Sequence, residues 1–242
     1  MLYSGERIDE IGFSDLKLIQ KPEEFCYGVD AVILADFAAR KTANRIVDLG
    51  TGTGIIPLIL SHKTKAESIY GIEYQQESWQ RAVRNAALNG LSERLHFVQA
   101  NVAEFDGLCH WADAVTANPP YMAGQCGLKN QNEAKTIARH ETVGSLEDFV
   151  MCASRILKDR GDFYLVHRPA RLVDLFSACR SWKLEPKEMR LVAPQKGETP
   201  NLVLLHCVKN GGIELKFLEN LYIYQEKGVY SNEIQQIYER FT

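Results

Sequence analysis

Residues 45–54 read RIVDLGTGTG, an apolar run that breaks into a turn with glycine at every second position. A short apolar run closed by glycines is the pattern of a buried strand, and Gly52 to His62 beyond it reads as a helix. Strand, tight turn and helix make a β–α unit, and that unit constrains the chain more than any other stretch. Three glycines let the backbone approach a ligand with no Cβ in the way. Their spacing is GxGxG, with Asp48 two residues ahead of Gly50. A dinucleotide fold uses GxGxxG and aims a helix N-terminus at a pyrophosphate. Here the third glycine comes one residue early and no lysine follows, which also sets the turn apart from a phosphate-binding P-loop.

The elements that follow alternate. Strands are expected at Ser68–Glu73, Arg94–Gln99, Ala112–Ala117, Gly161–His167, Leu184–Val192 and Leu202–Val208. Helices are expected at Gln75–Asn89, stopped by Gly90, at Ser145–Lys158, capped by Ser145 and Asp148, and at Pro169–Trp182, with proline in its first turn. Alternation implies right-handed crossovers and a mostly parallel, doubly wound α/β sheet, here of seven strands. The last two strands lack an intervening helix and should pair antiparallel at one edge. Such a sheet binds its ligand beyond the carboxyl ends of its strands. The chain divides into an N-terminal extension, 1–44, packed on the core, a central domain, 45–209, and a C-terminal extension, 210–242, for which the sequence suggests either an extra edge strand and helix or a partner surface.

Of the 242 residues, 45% are hydrophobic and 24% charged, which suits a globular chain with a sizeable core. The start has no apolar segment of signal-peptide type, and the longest apolar candidate, Gly54–Leu60, is far short of the roughly 20 residues of a membrane span. A cytoplasmic protein is expected. The six cysteines form no CxxC pair and the six histidines no HExxH, so buried free thiols and no metal are expected. The net charge is −3, but residues 129–196 carry 13 Lys and Arg against 9 Asp and Glu, while residues 1–128 carry 11 against 16. The second half can therefore present a basic face.

Glu73 ends the second strand of the unit, 19 residues after Gly54. A carboxylate there can accept hydrogen bonds from both ribose hydroxyls of an adenosine. Asn101, after the next strand, can meet an adenine edge, cap a helix, or both. A further strand then ends in Asn118-Pro119-Pro120-Tyr121.

Taken together, DLGTGTG, Glu73, Asn101 and the NPPY run resemble the class I methyltransferases, specifically the amino-methylating group that carries NPPY. The resemblance implies a Rossmann-like fold and S-adenosyl-L-methionine as cofactor, held by Asp48, Gly50, Thr51, Gly52, Gly54, Glu73, Tyr74, Asn101, Val102 and Asn118, with Asp30 also contributing. It implies catalytic roles for Asn118, Pro119, Pro120 and Tyr121. An aromatic exocyclic amine is a poor nucleophile because its lone pair is delocalised. The side-chain oxygen of Asn118 and the carbonyl of Pro119 would hold its hydrogens, two prolines would stiffen the loop, and the Tyr121 ring face, rather than its hydroxyl, would stack the base.

NPPY also serves enzymes acting on glutamine in release factors, on guanine and on DNA adenine. The first carry a sizeable helical domain ahead of the glycine turn, whereas 47 residues precede Asp48 here. DNA enzymes usually carry a target-recognition domain, for which little length remains. The runs LKLIQKP at 16–22, FCYGVDAVILA at 25–35, IARHE at 137–141 and PQKG at 194–197 are similar to the bacterial tRNA1(Val) adenine-N6 methyltransferases, from about Gly5 to Lys209. That family modifies the adenine beside the anticodon, position 37, which implies tRNA rather than DNA or membrane as partner. Lys129, Arg139, His140 and Lys196 are the candidate RNA contacts, and a monomer is expected. By itself Asp30 can cap the apolar helix that follows it, while Phe25 or Tyr27 can close over the cofactor or pack in the core. Two departures stand out: Asn101 replaces an acidic residue frequent in that family, and the acidic run Glu198-Thr199-Pro200-Asn201 follows Gly197. A glutamine methyltransferase and a non-enzymatic cofactor-binding module are the alternatives.

Overall fold

The computed structural model describes residues 2–23, 26–121 and 144–239. Strand β3 (Arg45–Leu49) is buried from its second residue onward. Ile46 packs to one side of the sheet, while Val47 and Leu49 pack to the other. Burial on both faces is what a parallel strand sandwiched between helical layers requires. Helix α2 (Ile55–Lys63) starts later than the sequence suggests. Gly50, Gly52 and Gly54 all have positive φ, +67°, +56° and +82°, and left-handed backbone cannot belong to a right-handed helix.

Strand β4 (Ser68–Glu73), helix α3 (Gln76–Leu88), β5 (Leu95–Gln99) and β6 (Ala112–Ala117) lie within a residue or two of expectation. Helix α4 (Leu146–Ile156) begins with the expected reciprocal cap: Asp148 N donates to Ser145 Oγ, and Ser145 N donates to Asp148 Oδ2. Its C-cap residue is already extended, so β7 (Leu157–His167) begins four residues earlier than Gly161. Pro169–Arg171 form a single 3-10 turn ahead of α5 (Leu172–Ser181). Strands β8 (Leu184–Ala193) and β9 (Leu202–Lys209) close the main sheet.

The order across the seven strands is β8-β9-β7-β6-β3-β4-β5. All are parallel except β9, which runs antiparallel between β7 and β8. The chain winds outward from β3 in both directions, so the crevice lies between β3 and β6, where the strand order reverses. Leu49 pairs with Ala117 there, which sets the glycine turn and the NPPY loop side by side. Leu49 also pairs with Ile72, which brings the end of β4 and Glu73 to the same rim.

The segments before and after this sheet were less legible. Residues Arg7–Glu10 (β1) and Lys17–Gln20 (β2) pair as an antiparallel hairpin. Helix α1 (Val29–Ala39) follows, with Gly28 rather than Asp30 at its N-cap. In the tail, β10 (Lys216–Phe217) and β11 (Leu221–Tyr222) extend the sheet parallel to β8. A small ribbon, β12 (Tyr224–Glu226) with β13 (Val229–Tyr230), leads into α6 (Asn232–Ile237). Tyr224, Tyr230, Tyr238 and Phe13 stack in succession, with ring centroids 5.4, 5.7 and 5.7 Å apart. Ile11, Phe13, α1, α2 and the tail residues Ile234, Ile237 and Tyr238 share one apolar cluster, and α4 and α5 cover the opposite face. Of the five described cysteines, Cys152, Cys179 and Cys207 are buried, but Cys109 is exposed and Cys26 half-buried; all are free thiols. No described helix is long and apolar enough to cross a membrane.

Candidate active site

The three glycines of the turn are glycine for different reasons. A Cβ at Gly50 would lie 3.0 Å from the Phe149 ring, and one at Gly54 would lie 2.9 Å from the Phe97 ring. Those two positions are closed by packing. A Cβ at Gly52 would meet nothing within 4 Å, so Gly52 is the one that faces open space.

Glu73 is 4% exposed and clasps this turn: Gly52 N donates to its Oε2 and Gln75 N to its Oε1, both at 2.8 Å. Burial raises its pKa, opposed by these backbone donors. Each carboxylate oxygen keeps a further lone pair, so two hydroxyls can be accepted side by side. Tyr74 is 43% exposed beside it, and Val102 is buried below. Asn101 Oδ1 accepts from Ala103 N at 3.0 Å, which closes a tight local turn.

Asp48 is wholly buried. Thr116 Oγ1 donates to its Oδ1 at 2.6 Å. Thr51 stands near enough to favour the anion yet outside hydrogen-bonding geometry, so Asp48 Oδ2 and Thr51 Oγ1 are both buried without a hydrogen bond among the described residues. Such atoms are costly unless a ligand or water satisfies them, and with the open Gly52 and the paired lone pairs of Glu73 they fit an adenosyl amino-acid cofactor. Burial pushes the Asp48 carboxyl from 3.8 up to about 7. The folded protein therefore holds a proton that the unfolded chain has released. This contribution to stability is full below about 3.8 and is lost as pH rises through about 7. Ligand-free protein is expected to lose melting temperature between about pH 4 and pH 8 by a margin that Asp48→Asn abolishes. Identical pH dependence of the two proteins in scanning calorimetry would show that Asp48 does not titrate this way.

Across the crevice, Asn118 directly follows β6. Its Nδ2 donates to Asp30 Oδ2 at 3.1 Å, and its Oδ1 accepts from the Tyr121 hydroxyl at 2.9 Å. The same hydroxyl lies 3.1 Å from Asp30 Oδ2; it has one proton and so donates to one of the two at a time. Burial, and then the nearby Asp30 carboxylate, push the Tyr121 pKa well above its usual value, which keeps the phenol a neutral donor. Its ring packs edge-on against His167 at 5.3 Å, and the Arg168 guanidinium covers it 4.8 Å from the centroid. The hydroxyl that the sequence leaves idle is thus engaged, and the ring face offered to a base is taken by a cation. Burial lowers the His167 pKa to about 4, so its imidazole is uncharged near neutrality.

Asp30, expected near the cofactor, lies against Asn118 and Tyr121. His167 and Arg168 were not expected at all. The available signal was their place at the carboxyl end of β7, beside β6. Arg168 Nη1 also donates to Asn201 O at 3.1 Å, which ties the β8–β9 loop to this rim. Lys196 is exposed on that loop. Lys129, Arg139, His140 and Phe25 lie outside the described residues.

Residues 16–180 match the family model described as the methyltransferase small domain. A tRNA1(Val) (adenine(37)-N6)-methyltransferase from Yersinia enterocolitica is 28% identical over 210 residues, which are 85% of this chain and 81% of that one. One of the same description from Histophilus somni is 26% identical over 235 residues, 96% of each chain. A crystal structure described as a predicted O-methyltransferase from Agrobacterium tumefaciens superimposes with a TM-score of 0.71 at 25% identity, over 87% of this chain and 95% of that one.

Proposed function

The chain belongs to the methyltransferase small-domain family, and from that premise we propose that it methylates the exocyclic N6 amine of an adenine in tRNA, the one beside the anticodon. The cofactor is S-adenosyl-L-methionine, whose sulfonium supplies an electrophilic methyl group and a good leaving group. The observation that carries this reading is the Leu49–Ala117 register, which sets an amine-holding NPPY loop against a cofactor turn. The names of the relatives from Yersinia enterocolitica and Histophilus somni support the choice of target.

In this reading the residues act mainly by position. Gly52 leaves room for the cofactor backbone, and Glu73 accepts from the two ribose hydroxyls. Asp48 Oδ2 and Thr51 Oγ1, buried without a hydrogen bond among the described residues, are available to the cofactor's polar end. Asn118 Oδ1 and the Pro119 carbonyl accept the two hydrogens of the amine and draw its nitrogen toward tetrahedral geometry, so that its lone pair can face the methyl group. The base stacks at Tyr121 once Arg168 has moved from the ring. No strong base is needed, because the amine loses its proton after transfer. A loop adenine suits the site, since a splayed base avoids the cost of about a few kcal/mol for flipping out of a duplex. Lys196, with Lys129, Arg139 and His140, would contact RNA phosphates in the cytoplasm, where tRNA is modified.

The test is to purify tRNA from a strain that lacks the gene, digest it and look by mass spectrometry for a lost N6-methyladenosine. The purified protein with labelled S-adenosylmethionine should restore it, and tRNA affinity should fall steeply with salt. Intact modification in the deletion strain, with label transferred to a release factor instead, would overturn the reading in favour of glutamine.

A further inference from the structure

The Asn118 amide can face two ways, and only one leaves its oxygen for the substrate. An amide has a donor end and an acceptor end of nearly the same shape, so packing alone does not choose between them. In this protein the choice falls to a carboxylate from a distant part of the chain. Asp30 Oδ2 accepts from Asn118 Nδ2 at 3.1 Å. The reversed amide would set its oxygen against a carboxylate oxygen, two acceptors with no proton between them.

The carboxylate is itself held. Ala31 N donates to Asp30 Oδ1 at 3.0 Å, which uses one of the free donors in the first turn of α1. A Cβ at Gly28 would lie 2.7 Å from the same oxygen, so glycine at 28 clears the space this carboxylate occupies. Helix α1 is anchored by a run of buried apolar residues from Ala31 to Ala38. Asp30 is therefore a fixed acceptor on a rigid element, aimed at a loop 88 residues later in the chain.

The acceptor end of the amide is filled as well. The Tyr121 hydroxyl donates to Asn118 Oδ1 at 2.9 Å. That is the same kind of contact an amine N–H of the substrate would make. The hydroxyl also has Asp30 Oδ2 within reach at 3.1 Å. When an amine arrives, the phenol can turn its proton to Asp30 without losing a hydrogen bond.

We propose that Asp30 is a positioning residue that holds the Asn118 amide with its oxygen toward the substrate amine, and that it receives the Tyr121 hydroxyl when that amine displaces it. In this role Asp30 acts through Asn118 and Tyr121. The proposal rests on the amine-methylating reading above.

Asp30→Asn is nearly isosteric but presents both a donor and an acceptor, so it no longer dictates which way Asn118 faces. Its single-turnover rate on tRNA should fall at least about tenfold, with the dissociation constant for S-adenosylmethionine unchanged within about twofold. Asn118→Asp sets two carboxylates against each other and should be worse. The double variant Asp30→Asn, Asn118→Asp restores one donor and one acceptor across the pair, and should recover at least about tenfold over Asn118→Asp alone. A double variant no faster than Asn118→Asp, or a full rate in Asp30→Asn, would overturn the proposal. So would an Asp30→Asn protein that folds normally but loses cofactor affinity, since that would return Asp30 to the cofactor. The Asn118 side-chain amide resonances give a readout free of the reaction: Asp30→Asn should shift them and quicken their solvent exchange, and unmoved resonances would refute the contact. If the unaltered protein transfers no methyl group to tRNA, the substrate reading fails while these resonances still decide the role of Asp30.

Discussion

Asn118→Ala is expected to slow single-turnover methyl transfer by about 100-fold to 1,000-fold, the scale of removing one pre-oriented hydrogen-bonding group from a reaction centre. The amide oxygen is useful mainly while the amine nitrogen is becoming tetrahedral, when its N–H groups turn more acidic and donate more strongly. Binding that strengthens only on the way to the transition state lowers the rate when lost and leaves ground-state affinity nearly intact. Calorimetric affinity for S-adenosylmethionine should therefore be close to that of the unaltered protein. The structure adds a second consequence. Without Asn118, the Tyr121 hydroxyl keeps Asp30 as acceptor, so the Tyr121–Asp30 contact should persist. Near-normal transfer by Asn118→Ala would mean that the NPPY loop is scaffolding and the amine is held elsewhere.

Glu73→Ala should weaken binding of S-adenosylmethionine by about 1–3 kcal/mol, the cost of losing charge-assisted hydrogen bonds and leaving their partners unmet. Glu73 also holds the glycine turn through Gly52 N and the start of α3 through Gln75 N. The substitution therefore removes both the acceptor and the brace that shapes the turn. Glu73→Gln, ordinarily conservative, should be nearly as damaging. One backbone N–H would then face the NH2 end of the amide, a donor against a donor. Isothermal titration with S-adenosylmethionine measures both variants, and thermal melts verify that they fold. Affinity retained in a folded Glu73→Gln protein would show that the oxygen facing Gly52 or Gln75 is dispensable, and retained affinity in Glu73→Ala would remove Glu73 from the cofactor site.

Some features were legible because their physics is local. Arg45–Leu49, Ser68–Glu73 and Ala112–Ala117 are apolar runs bounded by turn residues, and each is a strand over the span expected. Ser145 and Asp148 lie three residues apart and form the helix cap that such spacing permits. The glycine turn, Glu73 and NPPY were visible for the same reason, since each motif sits where a strand ends. The short pieces were legible at most in outline: an extra edge strand and helix stood as one of two alternatives for the tail, without bounds. The β1–β2 hairpin and the two-residue strands β10 and β11 carry too few residues for a period. Their conformation comes from the partner strand, not from the side chains they own.

The amino-acid sequence by itself determined the mostly parallel character of the sheet and the placing of the glycine turn, Glu73 and the NPPY run at strand ends, because backbone geometry and hydrophobic period act over a few residues. Only the tertiary structure decided that Gly52, and not Gly50 or Gly54, faces open space, that Asp48 is buried with an oxygen left without a hydrogen bond among the described residues, and that Asp30 sits against Asn118. Each of those depends on which atoms from distant segments come within about 3 Å of one another, the range over which hydrogen bonds and steric contact act. No local preference of the chain encodes that distance; the folding of α1 against the β3–β6 crevice does.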